Sequence, residues 1–439
     1  MTLTELGENI ADKSFDTRPR FVRLTGERSG FIEFDFAIGE PDIHIEMILS
    51  EQAFKEFCEN NNVTVLEPRA HHHEKVEDIG FEWRLSDATG RLKSKSTEKK
   101  SERTDMQIDM KTVAIEPQRK TFDHLKARFG DKVPSRYQEA TYDLQVEENM
   151  HYRPTWDPEQ NLYDKELSKI RMEDWYALKD PRQFYYSTYT LSRARQQEAM
   201  ESNFKFVESR GLVALMSDEL RATALDLLLP LRHENWSANL NNTFICGYGY
   251  GTAFTQPCMY HAVDNLGQAQ YLSRLGLLLG GKQSLANAKE KWMTDVRWQP
   301  LRRYAEDSMV VRDPVQLFMV QNVCLDGILY PLVYEALVDG VLSSQGATAV
   351  SMLTQFATDW HVESRKWVDS VIKIMAKESD ENKQQLSEWF DEWSDRASSA
   401  LIPVAEIVMA ERADDVVQEK LGELRARMKK AGLNVNGAA

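Results

Sequence analysis

Cysteine is scarce in this chain: four residues, Cys58, Cys246, Cys258 and Cys324, stand far apart and form no CxxC pair. That usage excludes a disulfide framework and a thiolate zinc cage, and it fits a reducing compartment. Positive charge is also in deficit. The 54 Lys and Arg face 69 Asp and Glu, a net charge of −15, so phosphate repulsion opposes general binding to nucleic acid or to an anionic membrane. The first residues, MTLTELGENIADKSFD, lack the basic and apolar segments of a secretory leader. Long hydrophobic runs are missing as well. The most apolar window, residues 327–342, is too short to span a bilayer and carries Glu335 and Asp339. A soluble, cytoplasmic protein is expected, with neither nucleic acid nor membrane as partner.

The usual signatures of chemistry are equally sparse. No GxSxG nucleophile elbow and no GxGxxG loop occurs, although a Ser/His/Asp or Cys/His site stays open. Gly247, Gly249 and Gly251 in CGYGYG follow no strand, so close approach of helices is the expected use of that rhythm. A carboxylate di-iron site in a helical bundle needs two Glu-x-x-His pairs and two further glutamates. One such pair exists, Glu148 and His151, and Arg153-Pro154 follows it at once, which puts the pair in a loop or a frayed helix end. His261 has Cys258 three residues before it, His361 stands between Asp359 and Glu363, and Glu198 and Glu201 lack an imidazole. The triplet His71-His72-His73 reads as a polar loop, because three adjacent imidazoles cannot all face one ion. The residues alone describe a helical protein without a legible active site.

What is present is ordinary globular material. The 439 residues are 42% apolar and 28% charged, enough for two or three domains or one large helical one. Residues 20–66 read as a small α/β unit. Strands are expected at 21–24, 31–38, 43–49 and 63–66, with Glu33 and Asp35 outward and Phe34 and Phe36 toward the core. Ser50 is the expected N-cap of a helix over 51–60 that presents Phe54, Phe57 and Cys58 on one face. Between 86 and 104 the chain turns to Lys, Ser, Thr and Glu, the texture of a solvated linker. A basic patch for an acidic partner is the alternative, blunted by Glu98 and Glu102. Three segments result: a module over 1–85, a linker over 86–109 and a helical domain over 110–439.

Helical patterning dominates that last segment. A helix over 117–129 is expected to stop at Gly130, and Asp180-Pro181 to open one of about thirty residues toward Gly211. Further helices are expected over 215–233, 241–279, 285–309, 313–342, 352–377 and 380–412. In 352–377 the recurrence of Leu353, Phe356, Trp360, Trp367, Val371, Ile374 and Met375 makes a broad apolar stripe. Residues 413–430 look like a solvated or partner-packing helix. No repeat of fixed length is evident.

Several blocks are more specific than composition. RFGDKVPSRYQEATYDLQ (128–145), HYRPTWDP (151–158), MEDWYALKDPRQFYYSTYTLSRARQ (172–196) and FVESRGL (206–212) closely resemble the β subunit of the multicomponent phenol hydroxylases, soluble bacterial di-iron monooxygenases. The resemblance runs from about Met106 to the C-terminus. Separately, residues 20–58 resemble the small assembly component of the same systems, normally a separate polypeptide. This family implies a mainly α fold: a ferritin-like helical β subunit lacking metal ligands, here preceded by the small α/β module. It also implies no catalytic residue, no metal and no cofactor in this chain. The two irons belong to the partner α subunit, FAD and an iron–sulfur cluster to a separate NAD(P)H-dependent reductase. The implied partners are α and γ subunits in an (αβγ)₂ assembly, a regulatory component and that reductase. Tyr152, Arg153, Trp156, Trp175, Arg182, Tyr185 and Tyr186, with Tyr176, are the rigid aromatic and guanidinium groups expected to take part in the subunit interface, or else to fill the chain's own core. The corresponding subunit of a toluene or alkene monooxygenase and an unrelated helical scaffold are the competing readings.

Overall fold

The structure is a computed structural model that describes residues 19–66, apart from Ser29 and 40–43, and residues 123–436, apart from Asp131, 147–152, Pro154 and Trp156. The described residues fall into two compact units, divided between Thr112 and Val113. The expected linker, the histidine triplet, Glu148 and His151, and the start of the helix at 117 all lie outside the described residues.

The first unit is a four-stranded sheet with one helix. Strands β1 (Arg20–Arg28), β2 (Phe31–Ile38) and β3 (His44–Ser50) pair antiparallel, and β4 (Thr64–Leu66) pairs parallel with β1, giving the order β3-β2-β1-β4. Helix α1 (Glu51–Asn61) makes the crossover to β4. Ser50 caps it as the sequence implies, its hydroxyl accepting from the Ala53 N–H. Phe54 and Phe57 lie 4.8 and 5.5 Å from the ring of Phe34, and Val22 and Phe34 are fully buried beneath them. One expectation fails on the opposite face. Asp35 is buried, with His44 Nε2 3.4 Å from its carboxylate, and Ala37 two residues on is buried beside it. Alternation identified the two faces of β2, but not that both are covered.

The second unit is mainly helical, with the described residues of 130–185 mostly in turns and one-turn helices. Its long elements are α2 (Tyr186–Ser209), α3 (Asp218–Leu228), α4 (Leu231–Tyr248), α5 (Thr252–Thr294) and α6 (Gln299–Ser308). They continue as α7, a run of α- and π-helical segments from Pro314 to Ala347, then α8 (Thr348–Glu378), α9 (Asp380–Met409) and α10 (Ala413–Ala431). The apolar stripe of α8 packs as its spacing requires, with Leu353, Phe356, Trp360, Trp367, Val371 and Met375 all buried. Helix α10 is not a solvated element: Val416, Val417, Leu421, Leu424 and Met428 bury a complete stripe against the rest of the unit. The 65-residue helical stretch Pro314–Glu378 contains a window long and apolar enough to cross a membrane, and that window is wholly buried in the unit. It is the core of the fold.

Helix starts differ from the sequence reading where side chains are captured by something else. Asp313 does cap α7, accepting from the N–H groups of Val315 and Gln316 at 2.8 and 3.1 Å. Asp180, in the same Asp-Pro context, instead takes Arg182 in a bidentate pair, and the helix begins six residues later at Tyr186. The helices expected over 215–233 and 285–309 are each two helices, broken near Pro230 and over Asp295–Trp298. The helix expected over 241–279 is likewise broken, at Gly249 to Gly251. The glycine rhythm is thus a helix break rather than a contact between helices. A Cβ on Gly249 would lie 2.6 Å from the Ile245 carbonyl, and Gly251 has φ of +82° with Trp175 Cβ 3.2 Å from where its own Cβ would stand.

That turn yields a direct expectation. Gly251→Ala forces a backbone conformation few L-residues adopt against the Trp175 side chain, and should cost about 1–3 kcal/mol. A chemical-denaturation midpoint equal to wild type would show that the turn relaxes without penalty.

Candidate functional site

Three helices of the second unit turn polar faces inward. Glu234, Asn235, Asn241 and Asn242 on α4, His261, Asn265 and Gln268 on α5, and Gln321, Asn322, Asp326 and Tyr330 on α7 are all buried. Their spacing is helical, so each set forms one stripe. The Asn239 side chain donates to the Ala262 carbonyl and Asn235 to Asn265, which sets α4 and α5 antiparallel.

The stripes close on one another. Gln321 Nε2 donates to Glu234 Oε1 at 3.0 Å and to Asp326 Oδ1 at 2.9 Å, joining the two carboxyl groups through one amide. Asn241 donates to Gln321 Oε1 and to Ser308 Oγ at 2.9 and 2.8 Å. Asn242 and Asn322 exchange two hydrogen bonds of 2.9 Å. His261 Nε2 lies 3.1 Å from Asp326 Oδ2, and Tyr330 donates to Gln268. Burial, reinforced by the nearby Asp326, raises Glu234 to about 8, and burial raises Asp326 to about 7. The same burial lowers His261 to about 3. The His261–Asp326 contact has the spacing of an ion pair, yet desolvation disfavours both charges, so it is better described as a hydrogen bond between largely neutral groups.

A di-iron centre wants several ionised carboxylates plus imidazoles converging on open positions. The donor set here does not fit. Its two carboxyl groups are tied to an amide, favour their protonated forms, and share a single imidazole. Among the described residues no group of three or more His, Cys, Asp or Glu is arranged to hold a metal ion.

A second network fastens α2 to the bundle. Arg193 grips Asp264 through Nε and Nη2 at 2.7 and 2.6 Å and Glu363 through Nη1 and Nη2 at 3.1 and 2.9 Å. Tyr189 and the Trp360 indole each donate to Asp264 at 2.9 Å. Asp264 and Glu363 look unremarkable in sequence; only the α2–α5–α8 packing brings them to one guanidinium.

The residues singled out from sequence for a partner surface separate into distinct environments. Tyr186 is 76% exposed and Arg153 is exposed, its Nη1 3.4 Å from the Pro158 carbonyl. Tyr185 is half-buried at the start of α2, where its N–H donates to Thr188 Oγ1. Trp175 and Tyr176 are buried, the former against Tyr250 and Phe254. Arg182 is buried too, held by Asp180 and lying 4.8 Å from the Phe184 ring and 5.0 Å from that of Trp367. These three fill this unit's own core. Tyr152 and Trp156 lie outside the described residues.

Comparison with known proteins gives this geometry a context. A family described as methane/phenol/alkene hydroxylase matches residues 153–379, and one described as phenol hydroxylase subunit matches residues 12–67. Over 330 residues, 75% of this chain and 98% of the relative, the chain is 45% identical to the phenol 2-monooxygenase oxygenase component DmpL of Pseudomonas sp. strain CF600. Over 93 residues, 21% of this chain and 95% of the relative, it is 36% identical to the auxiliary component DmpK of the same strain. It is 21% identical over 297 residues, 64% of this chain and 89% of the relative, to the toluene-4-monooxygenase hydroxylase component subunit beta of Ectopseudomonas mendocina. A chain of the crystal structure of xenon-pressurized phenol hydroxylase from Pseudomonas sp. OX1 aligns with a TM-score of 0.69 at 45% identity, covering 75% of this chain and all of that one.

The buried acid pair gives a pH signature. In the unfolded chain both carboxyls lose their protons near pH 4, whereas the folded chain keeps them to about 7 and 8. The folded state therefore binds more protons over that interval, and stability falls as pH rises through it. His261 and His233, lowered to about 3 and about 4, act in the opposite sense, but only below about 6.5. From pH 6.5 to 8 the melting temperature should decline, and Glu234→Gln should flatten that decline. An unchanged slope in the variant would mean that the pair is ionised in the folded state.

Proposed function

Because this chain belongs to the methane/phenol/alkene hydroxylase family, we propose that it is the non-catalytic β subunit of a phenol-type aromatic monooxygenase, carrying the system's small assembly component at its N-terminus. The observation that carries the reading is the amide-bridged centre of the bundle. Both carboxyl groups of the centre are bridged by the Gln321 amide and favour their protonated forms, where an oxygen-activating subunit would need ionised carboxylates free to bind metal. The iron is assigned to the α subunit, and FAD and the iron–sulfur cluster to the reductase. This chain contributes packing. The toluene relative's own designation as a beta subunit supports the role, and identity of 45% against 21% favours a phenol-type over a toluene-type system.

In this reading residues 1–85 form the assembly module, 86–109 the join and 110–439 the hydroxylase domain, acting in the cytoplasm within an (αβγ)₂ complex. Tyr186 and Arg153, with Tyr185, Tyr152 and Trp156, are retained as contacts to a partner. Trp175 and Arg182 support that surface from beneath. Covalent fusion would hold the module at an effective concentration on the order of millimolar near its site of action.

Two experiments test the proposal. The chain purified alone should carry no stoichiometric iron, while co-expression with the α and γ subunits should yield an iron-loaded complex; about two irons per isolated chain, lost on Glu148→Ala, would overturn the reading. Removal of residues 1–100 should leave the complex able to form but lower its iron content or active fraction, with partial recovery when the module is supplied in trans. Full iron and full turnover after truncation would assign the module a role other than assembly.

A further inference from the structure

Charge makes up 28% of this chain but is thin along α4 and the first half of α5. Between Glu234 and Arg274 only one residue in thirty-nine is charged, Asp264, and it is buried under Arg193. His261, the lone titratable imidazole of the stretch, is buried as well. Residues 235–273 of the α4–α5 hairpin therefore show solvent no ionised side chain, the nearest charges being Arg232 and Arg274 at the ends of the stretch. What it shows instead is apolar. Trp236 and Leu240 on α4, and Met259, Val263, Leu266 and Leu277 on α5, are each 38–53% exposed. The spacing of four on α4, and of four, three and eleven on α5, places each set along one helical stripe. The antiparallel register that joins Asn239 to Ala262 brings the two stripes side by side. Along one edge runs a groove of about 350 Å³ between α5 and α2, lined by Val263, Gly267 and Tyr271 against Tyr189, Gln196 and Glu201.

We infer that this hairpin face is the docking surface for an apolar, uncharged helical face of the iron-bearing α subunit, an inference that rests on the β-subunit reading above. Charge matching selects that occupant. A partner presenting Lys, Arg, Asp or Glu to this face would bury them without a counter-charge, at a cost that breaks interfaces, whereas an apolar helix loses only its hydration. A core depleted of charge beside a charged rim, here Glu201, Arg274 and Arg193, is the composition of a protein–protein interface. A second copy of this chain fits less well, since each brings a further net charge of −15. A contiguous apolar patch of this kind on a soluble protein marks a contact.

The test uses the full chain co-expressed with the α and γ subunits. Leu240→Glu combined with Leu266→Glu places two charges on exposed positions, so the isolated variant should keep the circular dichroism and melting temperature of wild type. Its affinity for α should fall at least tenfold, read as loss of co-purifying α and of the complex in sedimentation. Val310→Glu, an exposed apolar position outside the hairpin, should leave both unchanged. If wild type and the double variant capture α equally, the docking surface is wrong and the β-subunit reading stands. If the double variant only abolishes self-association of the isolated chain, the face joins two copies and the inference fails. If wild type itself does not bind α, the β-subunit reading and this inference fall together.

Discussion

The helical unit buries two carboxyl groups, Glu234 and Asp326, and joins them through the Gln321 amide. A buried pair of this kind is tolerable only while the charge is kept off it. The requirement propagates outward. Asn241 must orient Gln321, Ser308 must accept from Asn241, and α6 must lie close enough to supply that serine. The π-helical segment of α7, which holds the buried Gln321 and Asn322 and runs directly into Asp326, belongs to the same set of constraints. Most members of the network restrain one another, although His261 Nδ1, Asn235 Oδ1 and Gln268 Nε2 are left without a protein partner.

The rigid centre also fixes the helices that form the surface. Arg193 carries the same logic outward, fastening α2 to α5 and α8 through two carboxylates, so the groove and the uncharged hairpin beside it are held in fixed relation. The supporting role proposed above would benefit from such a surface. Docking onto a preformed face avoids the ordering cost that a mobile one incurs, so more of the buried area appears as affinity.

Fusion of a phenol hydroxylase subunit to a module resembling an auxiliary component adds a second layer. The module's sheet is small, with a core resting on a few phenylalanines against one helix.

Local patterns were sufficient for much of the architecture. The Ser50 cap, the Asp313-Pro314 helix start, the stripe of α8 and the alternating strands depend on interactions within a few residues, and each is legible from spacing alone. So was the family, because long blocks such as 172–196 are specific in a way that composition is not. Other features required the tertiary structure. Asp180 looks like a cap until Arg182 takes its carboxylate, and α10 looks solvated until Val417 and Leu424 find the core. Trp175 and Arg182 read from sequence as either interface or core groups, and the fold places both side chains inside the unit. Glu234, Asp326 and Gln321 are up to ninety-two residues apart, and nothing local marks them as partners. Their meeting depends on how three helices rotate and pack. A sequence fixes which face of a helix is polar, but only packing decides whether that face meets water, a partner, or another polar face in the dark of the core.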